Sequence, residues 1–248
     1  MIIFAGPMKE EKFNKLFNIF ILAGMSVCVI LATVFKLDSD TGARVLLLIS
    51  AVGALSGVAS TVLAANGSIW NFLFGLIDVC FYSIILFKNG QPAQLCLHLL
   101  YILPMEFIGF FKWKKVGLRK DNTIKARRLP VKYWINVSVL FLAVFLVSLA
   151  ISYHILKVGR TDIVPVKVVL DAVITTGNIV AFVLMAGAYA EQWYLWMVVN
   201  IGSILLWSLT PIFSPGTEYA VVPLIKYVFY MINSVNGIRM WYMLSRSE

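Results

Sequence analysis

The side chains best suited to bind a ligand lie in one apolar stretch in the last quarter of the chain. In EQWYLWMVVNIGSILLW, positions 191–207, Trp193, Trp196, Asn200, Ser203 and Trp207 recur at steps of three, four, three and four. On an α-helix these steps place all five side chains on one face. An amide that faced lipid would lack hydrogen-bond partners, so Asn200 is expected to face the protein interior. The pattern fits a site for a small aromatic ligand with a few polar atoms, and it equally fits a packed seam between helices.

Polar side chains recur at helical spacing in other apolar segments as well. Asp78 falls near the middle of one such segment, where an ionisable group is costly and is by default a sign of function. A hydrogen bond between helices, a contact to a ligand and a proton-carrying role are the three explanations for it. The candidate substrate-binding residues are Trp193, Trp196, Asn200, Gln94, Asn71, Asp78, Tyr82, Tyr101, Asn178 and Asn233.

The composition indicates that these stretches lie in a membrane. Hydrophobic residues make up 60% of the chain and charged residues 13%, whereas a soluble domain has roughly 25% charged residues. Apolar runs of about 20 residues are needed to cross the hydrocarbon core. Such runs cover residues 13–35, 43–65, 68–87, 92–113, 133–157, 165–189, 192–213 and 221–243. We therefore predict an all-α integral membrane protein with eight transmembrane helices.

The basic residues predict how the helices are oriented. The loop at residues 114–132 and its flanks carry a cluster of lysines and arginines, and the positive-inside rule places such a cluster in the cytoplasm. With eight spans both termini are then cytoplasmic, and 14 of the 21 basic residues lie on that side. The net charge of +9 is explained by this topology. It therefore favours contact with acidic lipid headgroups and gives no support to nucleic-acid binding.

Two parts of the chain resemble each other. A shift of 122 residues places Asn71, Phe74 and Asp78 on Trp193, Trp196 and Asn200. A shift of 128 places the glycine and tryptophan of the 109–113 segment on those of the 237–241 segment. We predict two parallel three-helix repeats, residues 43–113 and 165–243, joined by a linker helix at 133–157. An extra amino-terminal helix at 13–35 precedes this 3+1+3 arrangement. A substrate site is expected near the midplane between the two repeats.

The sequence contains no recognisable catalytic chemistry. Its two histidines fall in different spans, and no nucleophile, zinc or phosphate-loop signature is present. We predict a protein that is not an enzyme and that needs no cofactor and no metal. A polar, aromatic interior without such a signature favours a carrier of a small organic molecule. A membrane receptor that binds a ligand without moving it is the alternative.

The arrangement of these residues resembles that of a known transporter family. The run Trp70-Asn71 with Gly75, then Gln94, then Gly109-Phe110-Phe111-Lys112-Trp113, is similar to the repeat of the PnuC-type vitamin transporters. The tryptophans, Asn200 and the 237–241 ending form a second copy. The resemblance covers roughly residues 43–243. This chain has Phe72 and Leu73 where the family pattern has its second tryptophan and a proline.

The resemblance implies import of nicotinamide riboside across a bacterial inner membrane by facilitated diffusion. A cytoplasmic nicotinamide riboside kinase would trap the substrate by phosphorylating it, and assembly as a homo-oligomer is left open. Under this hypothesis the indoles of Trp193 and Trp196 stack on the pyridinium ring, and Gln94 binds the carboxamide or a ribose hydroxyl. Transport of another vitamin or nucleoside, thiamine first, is the competing hypothesis.

Overall fold

The helices of the protein begin and end close to the boundaries that hydropathy predicts. The computed structural model describes residues 7–34, 41–88, 92–119, 121–157, 165–213 and 221–246. The helices are α1 (Pro7–Val34), α2 (Thr41–Ala65), α3 (Asn71–Lys88), α4 (Pro92–Leu97), α5 (Leu103–Val116), α6 (Val131–Lys157), α7 (Pro165–Ala186), α8 (Gln192–Phe213) and α9 (Val221–Leu244). Within the described residues, β-type pairing is limited to isolated bridges between loop residues. The prediction of an all-helical protein is confirmed.

Most of these helices have the length and composition of membrane spans. Within the described residues, seven helical segments are long and apolar enough to cross a membrane, and α4 and α5 together count as one of them. Helix α8, with 22 residues, is also long enough to cross a membrane. The outer face of α6 exposes large apolar side chains such as Leu142 and Leu146, as expected of a surface that contacts lipid.

A single wide turn interrupts the span that contains α4 and α5. Residues His98–Ile102 form a π-helical turn, in which the Leu103 N–H donates to the carbonyl oxygen of His98. Pro104 follows at the start of α5. In a regular α-helix the ring of Pro104 would clash with the carbonyl of Leu100, and the wider turn removes that clash. Hydropathy predicts the span but not this turn.

Two equivalent turns reveal the register of the internal repeat. After α2 the Gly67 N–H donates to the carbonyl oxygen of Ala64 at 2.9 Å, and after α7 the Ala188 N–H donates to that of Met185 at 2.9 Å. Gly67 and Ala188 also share a positive φ, 67° and 57°. These residues are related by a shift of 121, so the shift of 122 that the sequence suggests is wrong by one position. Asp78 therefore corresponds to Val199 and not to Asn200.

Two tryptophans connect the halves reciprocally. The indole N–H of Trp113, on α5, donates to the carbonyl of Met185 at 2.9 Å, and that of Trp241, on α9, donates to the carbonyl of Ala64 at 2.8 Å. Both side chains are fully buried, and their ring centroids are 5.8 Å apart. This exchange supports the internal repeat, whereas the complete 3+1+3 arrangement remains a prediction.

The basic loop between α5 and α6 contacts both of these turns. The Ile124 N–H donates to the carbonyl of Gly67, and the Arg127 N–H donates to that of Ala188, both at 2.8 Å. Arg128 forms an ion pair with the buried Glu191 at 2.9 Å. The loop thus holds the starts of α3 and α8, and with them the first turns of the helices that carry most of the candidate residues.

Candidate functional site

A central cavity lies between helices from both halves of the bundle. Its volume is about 120 Å³, several times the roughly 10–15 Å³ that one water molecule requires. It is lined by α2, α3, the π-helical turn with α5, α7, α8 and α9, whereas neither α1 nor α6 contributes a lining residue. The six contributing segments are those of the two predicted repeats. Five candidate residues line the cavity: Asp78, Asn178, Trp193, Trp196 and Asn200.

Helix α8 forms the aromatic wall of the cavity. Trp193 and Trp196 lie one turn apart, and the face of Trp193 packs against Gly237 so closely that a Cβ there would lie 2.5 Å from Cδ2. The indole nitrogen of Trp193 is buried and has no hydrogen-bond partner among the described residues. The ring of Trp196 meets Phe182 edge-on, with centroids 5.2 Å apart. The wall therefore offers two aromatic surfaces and one unused donor.

Two amides lie beyond this wall. Asn200, one turn after Trp196, donates to the hydroxyl of Ser234 at 2.9 Å and is 3% exposed. Asn178, on α7, donates to the carbonyl of Ile174 at 2.8 Å. Each amide is thus oriented by one bond to the protein, and its carbonyl oxygen can accept a further hydrogen bond.

A buried ion pair lies on the side of the cavity formed by α3 and α9. Lys226 Nζ lies 2.7 Å from each carboxylate oxygen of Asp78. The hydroxyl of Tyr230 donates to Asp78 at 3.3 Å, and the ammonium lies 4.6 Å from the ring centroid of Tyr82. Lys226 thus neutralises Asp78, although the two residues lie far apart in the sequence.

Five other candidate residues do not line the cavity. Gln94 donates to Asp171 at 2.6 Å, and the fully buried Asn71 donates to the carbonyl of Ser68 at 2.6 Å. The hydroxyl of Tyr101 donates to the carbonyl of Ile179 at 2.6 Å. The remaining two, Tyr82 and Asn233, lie behind the lining residues: the ring of Tyr82 packs on His98 and the amide of Asn233 donates to the carbonyl of Thr61. Their roles as substrate-binding residues remain predictions.

The cavity also has lining residues that are not among the candidates chosen from the sequence. His98 and Glu106 reach the cavity from the π-helical turn and α5, and Lys226 and Tyr230 reach it from α9. The spacing of Asp78 and Gln94 along their own helices does not indicate which residues of other helices contact them. Within the described residues, no group of three or more histidine, cysteine and acidic side chains is suited to hold a metal ion.

Comparison with known proteins identifies the family. The family model described as "Nicotinamide mononucleotide transporter" matches residues 47–243, most of the chain. The chain belongs to the nicotinamide mononucleotide transporter family. The matched range begins within α2 and ends in the last turn of α9, and so includes every segment around the cavity. The family identifies the protein as a multi-pass membrane transporter and not an enzyme.

Named members of the transporter family are similar to this chain over most of its length. A "Nicotinamide riboside transporter PnuC" of Neisseria mucosa is 33% identical over 214 residues, covering 85% of this chain and 75% of that protein. Its namesake in Haemophilus influenzae is 30% identical and covers 77% of each chain. A crystal structure of the "Vitamin B3 transporter PnuC" superposes with a TM-score of 0.72 at 31% identity, covering 94% of this chain and 92% of that one. The resemblance to PnuC-type transporters is therefore confirmed.

Proposed function

We propose that this protein imports nicotinamide riboside and that the central cavity is its binding site. The observation that carries the proposal is a cavity enclosed by both halves of the bundle, with Trp193 and Trp196 on one wall. Relatives named as nicotinamide riboside transporters support this substrate. The site lies near the midplane of a bacterial inner membrane, and both termini lie in the cytoplasm.

The lining residues suit the two parts of this substrate. Nicotinamide riboside has a flat pyridinium ring with a carboxamide, and a ribose with several hydroxyls. The faces of Trp193 and Trp196 stack on the ring, where each cation–π contact contributes about 0.5–2 kcal/mol. Asn178 and Asn200 accept hydrogen bonds from the carboxamide or the ribose. Gln94 reaches the substrate only after it releases Asp171, so we place it second to these four residues.

The same residues disfavour a phosphorylated substrate. Lys226 is the only lysine or arginine among the described lining residues, and both carboxylate oxygens of Asp78 hold it. A phosphate group is usually bound by free arginine or lysine side chains. Nicotinamide mononucleotide would instead bring its phosphate close to two carboxylates, Asp78 and Glu106. The dephosphorylated riboside is therefore the better substrate.

Transport proceeds by facilitated diffusion. The sequence has no phosphate-binding loop that would couple transport to ATP. A buried carboxylate in a transporter is often a proton carrier. Both carboxylate oxygens of Asp78, however, accept hydrogen bonds from Lys226 at 2.7 Å, so we assign Asp78 a structural role. Phosphorylation by a cytoplasmic nicotinamide riboside kinase makes import one-way in the cell.

Counterflow in proteoliposomes tests this function. Vesicles that contain the protein and unlabelled nicotinamide riboside are diluted into labelled nicotinamide riboside, and transient accumulation of label is expected. Nicotinamide mononucleotide and thiamine are offered as competitors and should compete weakly. Binding of the riboside without counterflow would indicate a receptor. Strong competition by thiamine would indicate that thiamine, and not nicotinamide riboside, is the substrate. Accumulation driven by an imposed proton gradient would refute facilitated diffusion.

A further inference from the structure

One carboxyl oxygen in the cavity wall has no hydrogen-bond partner among the described residues. Glu106, on α5, is 6% exposed and lines the cavity. Its Oε2 atom is buried and makes no hydrogen bond to any described residue. Buried carboxyl groups without a hydrogen bond or a cation are uncommon because the charged form loses its hydration.

A glycine on the facing helix makes room for this carboxyl group. A Cβ atom at Gly75, on α3, would lie 2.4 Å from Oε1 of Glu106 and 2.8 Å from Oε2. Any side chain at position 75 would therefore push the carboxyl group out of its place. The carboxyl group of Glu106 thus occupies the space that a side chain at position 75 would fill.

The charges of the cavity wall do not balance. The described lining residues include two acidic side chains, Asp78 and Glu106, and one lysine, Lys226. Lys226 donates to both oxygens of Asp78. The remaining titratable base is His98, whose Nδ1 lies 2.8 Å from the carbonyl oxygen of Gln94. An imidazole is largely neutral at pH 7, so Glu106 is left without a cation in the wall.

A ligand can supply the missing positive charge. The ring of nicotinamide riboside carries one delocalised positive charge, and neither its ribose nor its carboxamide is charged. A cation that enters the cavity can stabilise the ionised form of this carboxyl group, which would otherwise be buried without a counter-charge. A neutral ligand of the same shape cannot do so.

We propose that Glu106 determines specificity for cationic ligands by pairing with the positive charge of the aromatic ring. The inference rests on the proposed function. It gives Glu106 the contact to a ligand that was one of three explanations for Asp78 in the sequence. The aromatic wall on α8 selects a flat ring, whereas Glu106 selects its charge. Gly75 is a positioning residue that leaves space for the carboxylate.

Two forms of one ligand separate charge from shape. Nicotinamide riboside has a cationic ring, whereas its dihydro form has an uncharged ring with the same ribose and carboxamide. Binding of both forms is measured by calorimetry on the purified protein, the Glu106→Gln variant and the Gly75→Ala variant. Glu10→Gln is the control, because Glu10 lies on α1 and does not line the cavity. The quantity compared is the ratio of the two dissociation constants.

Glu106→Gln should weaken binding of the cationic form about 10- to 100-fold, the effect of losing one charge-assisted contact. Binding of the dihydro form should change less than about threefold, which also shows that the variant is folded. Gly75→Ala should move the ratio in the same direction, and Glu10→Gln should leave it unchanged. Equal loss of both forms in Glu106→Gln, or no change in either, would overturn the inference but leave the proposed function standing. A parent protein that binds neither form would contradict both.

Discussion

The buried ion pair between Lys226 and Asp78 should contribute strongly to the stability of this protein. Their side chains are 5% and 17% exposed, and the ammonium lies 2.7 Å from each carboxylate oxygen. Because Lys226 lies on α9 and Asp78 on α3, the pair connects the two halves of the bundle along one side of the cavity. Removal of either partner would leave the other charge buried and unpaired.

The expected magnitude follows from this burial. Breaking a buried ion pair by removing one partner costs about 3–5 kcal/mol, whereas replacing both partners by neutral side chains of similar size is close to neutral. For a chain of this length, 1 kcal/mol corresponds to roughly 2–4 °C in melting temperature. Lys226→Met and Asp78→Asn should therefore each lower the melting temperature by about 6–20 °C. The double variant should recover most of that loss.

Thermal unfolding in detergent, followed by circular dichroism, gives the melting temperatures of the parent, the two single variants and the double variant. Arg239→Met is the matched control: Arg239 pairs with Glu10 at 2.6 Å, but these side chains are 28% and 22% exposed. Water screens that pair, so its loss should cost no more than about 1 kcal/mol. Single variants that melt with the parent would refute a stabilising role for the pair. A double variant as unstable as the singles would show that lost packing, and not an unpaired charge, causes the effect.

Three further predictions concern the aromatic wall and the topology. Trp196→Ala should weaken binding of nicotinamide riboside more than Asn178→Ala, whose lost hydrogen bond costs about 0.5–1.5 kcal/mol. Calorimetry that shows the larger loss of affinity for Asn178→Ala would contradict the stacking role of Trp196. Gly237→Ala should also weaken binding of nicotinamide riboside, because the new Cβ would lie 2.5 Å from Trp193 Cδ2 and displace the indole. Unchanged tryptophan fluorescence and unchanged affinity would show that α8 and α9 move apart and leave the indole in place. In a cysteine-free background, a cysteine in place of Lys125 should react with an impermeant reagent only from the cytoplasmic side, and one at the carboxyl end of α3 only from the other side. Reaction of both from the same side would refute the predicted topology.

The sequence predicts the helices well because the signals for them are local. A run of apolar residues must span hydrocarbon wherever it lies in the bundle, and the predicted span 192–213 coincides with α8 (Gln192–Phe213). The tryptophan stripe is similarly local, since one helix carries all of it. Three of its residues, Trp193, Trp196 and Asn200, line the cavity.

Contacts between distant helices could not be predicted in this way. Lys226 and Asp78 are separated by 148 positions, and nothing in the pattern around either residue indicates the other. The register of the repeat was wrong by one residue, because matching polar residues by type aligned Asp78 with Asn200, whereas the backbone turns align it with Val199. That the Glu106 carboxyl oxygen Oε2 lacks a hydrogen-bond partner among the described residues likewise depends on how the surrounding helices pack.

The measurement that tests the proposed binding site most directly is a structure of the protein with bound nicotinamide riboside. The ring is expected in the central cavity against Trp193 and Trp196, with the carboxamide or ribose within hydrogen-bond distance of Asn178 or Asn200. A ligand found outside the space between the two halves would contradict the proposed site. So would an empty cavity at a concentration that saturates binding in solution.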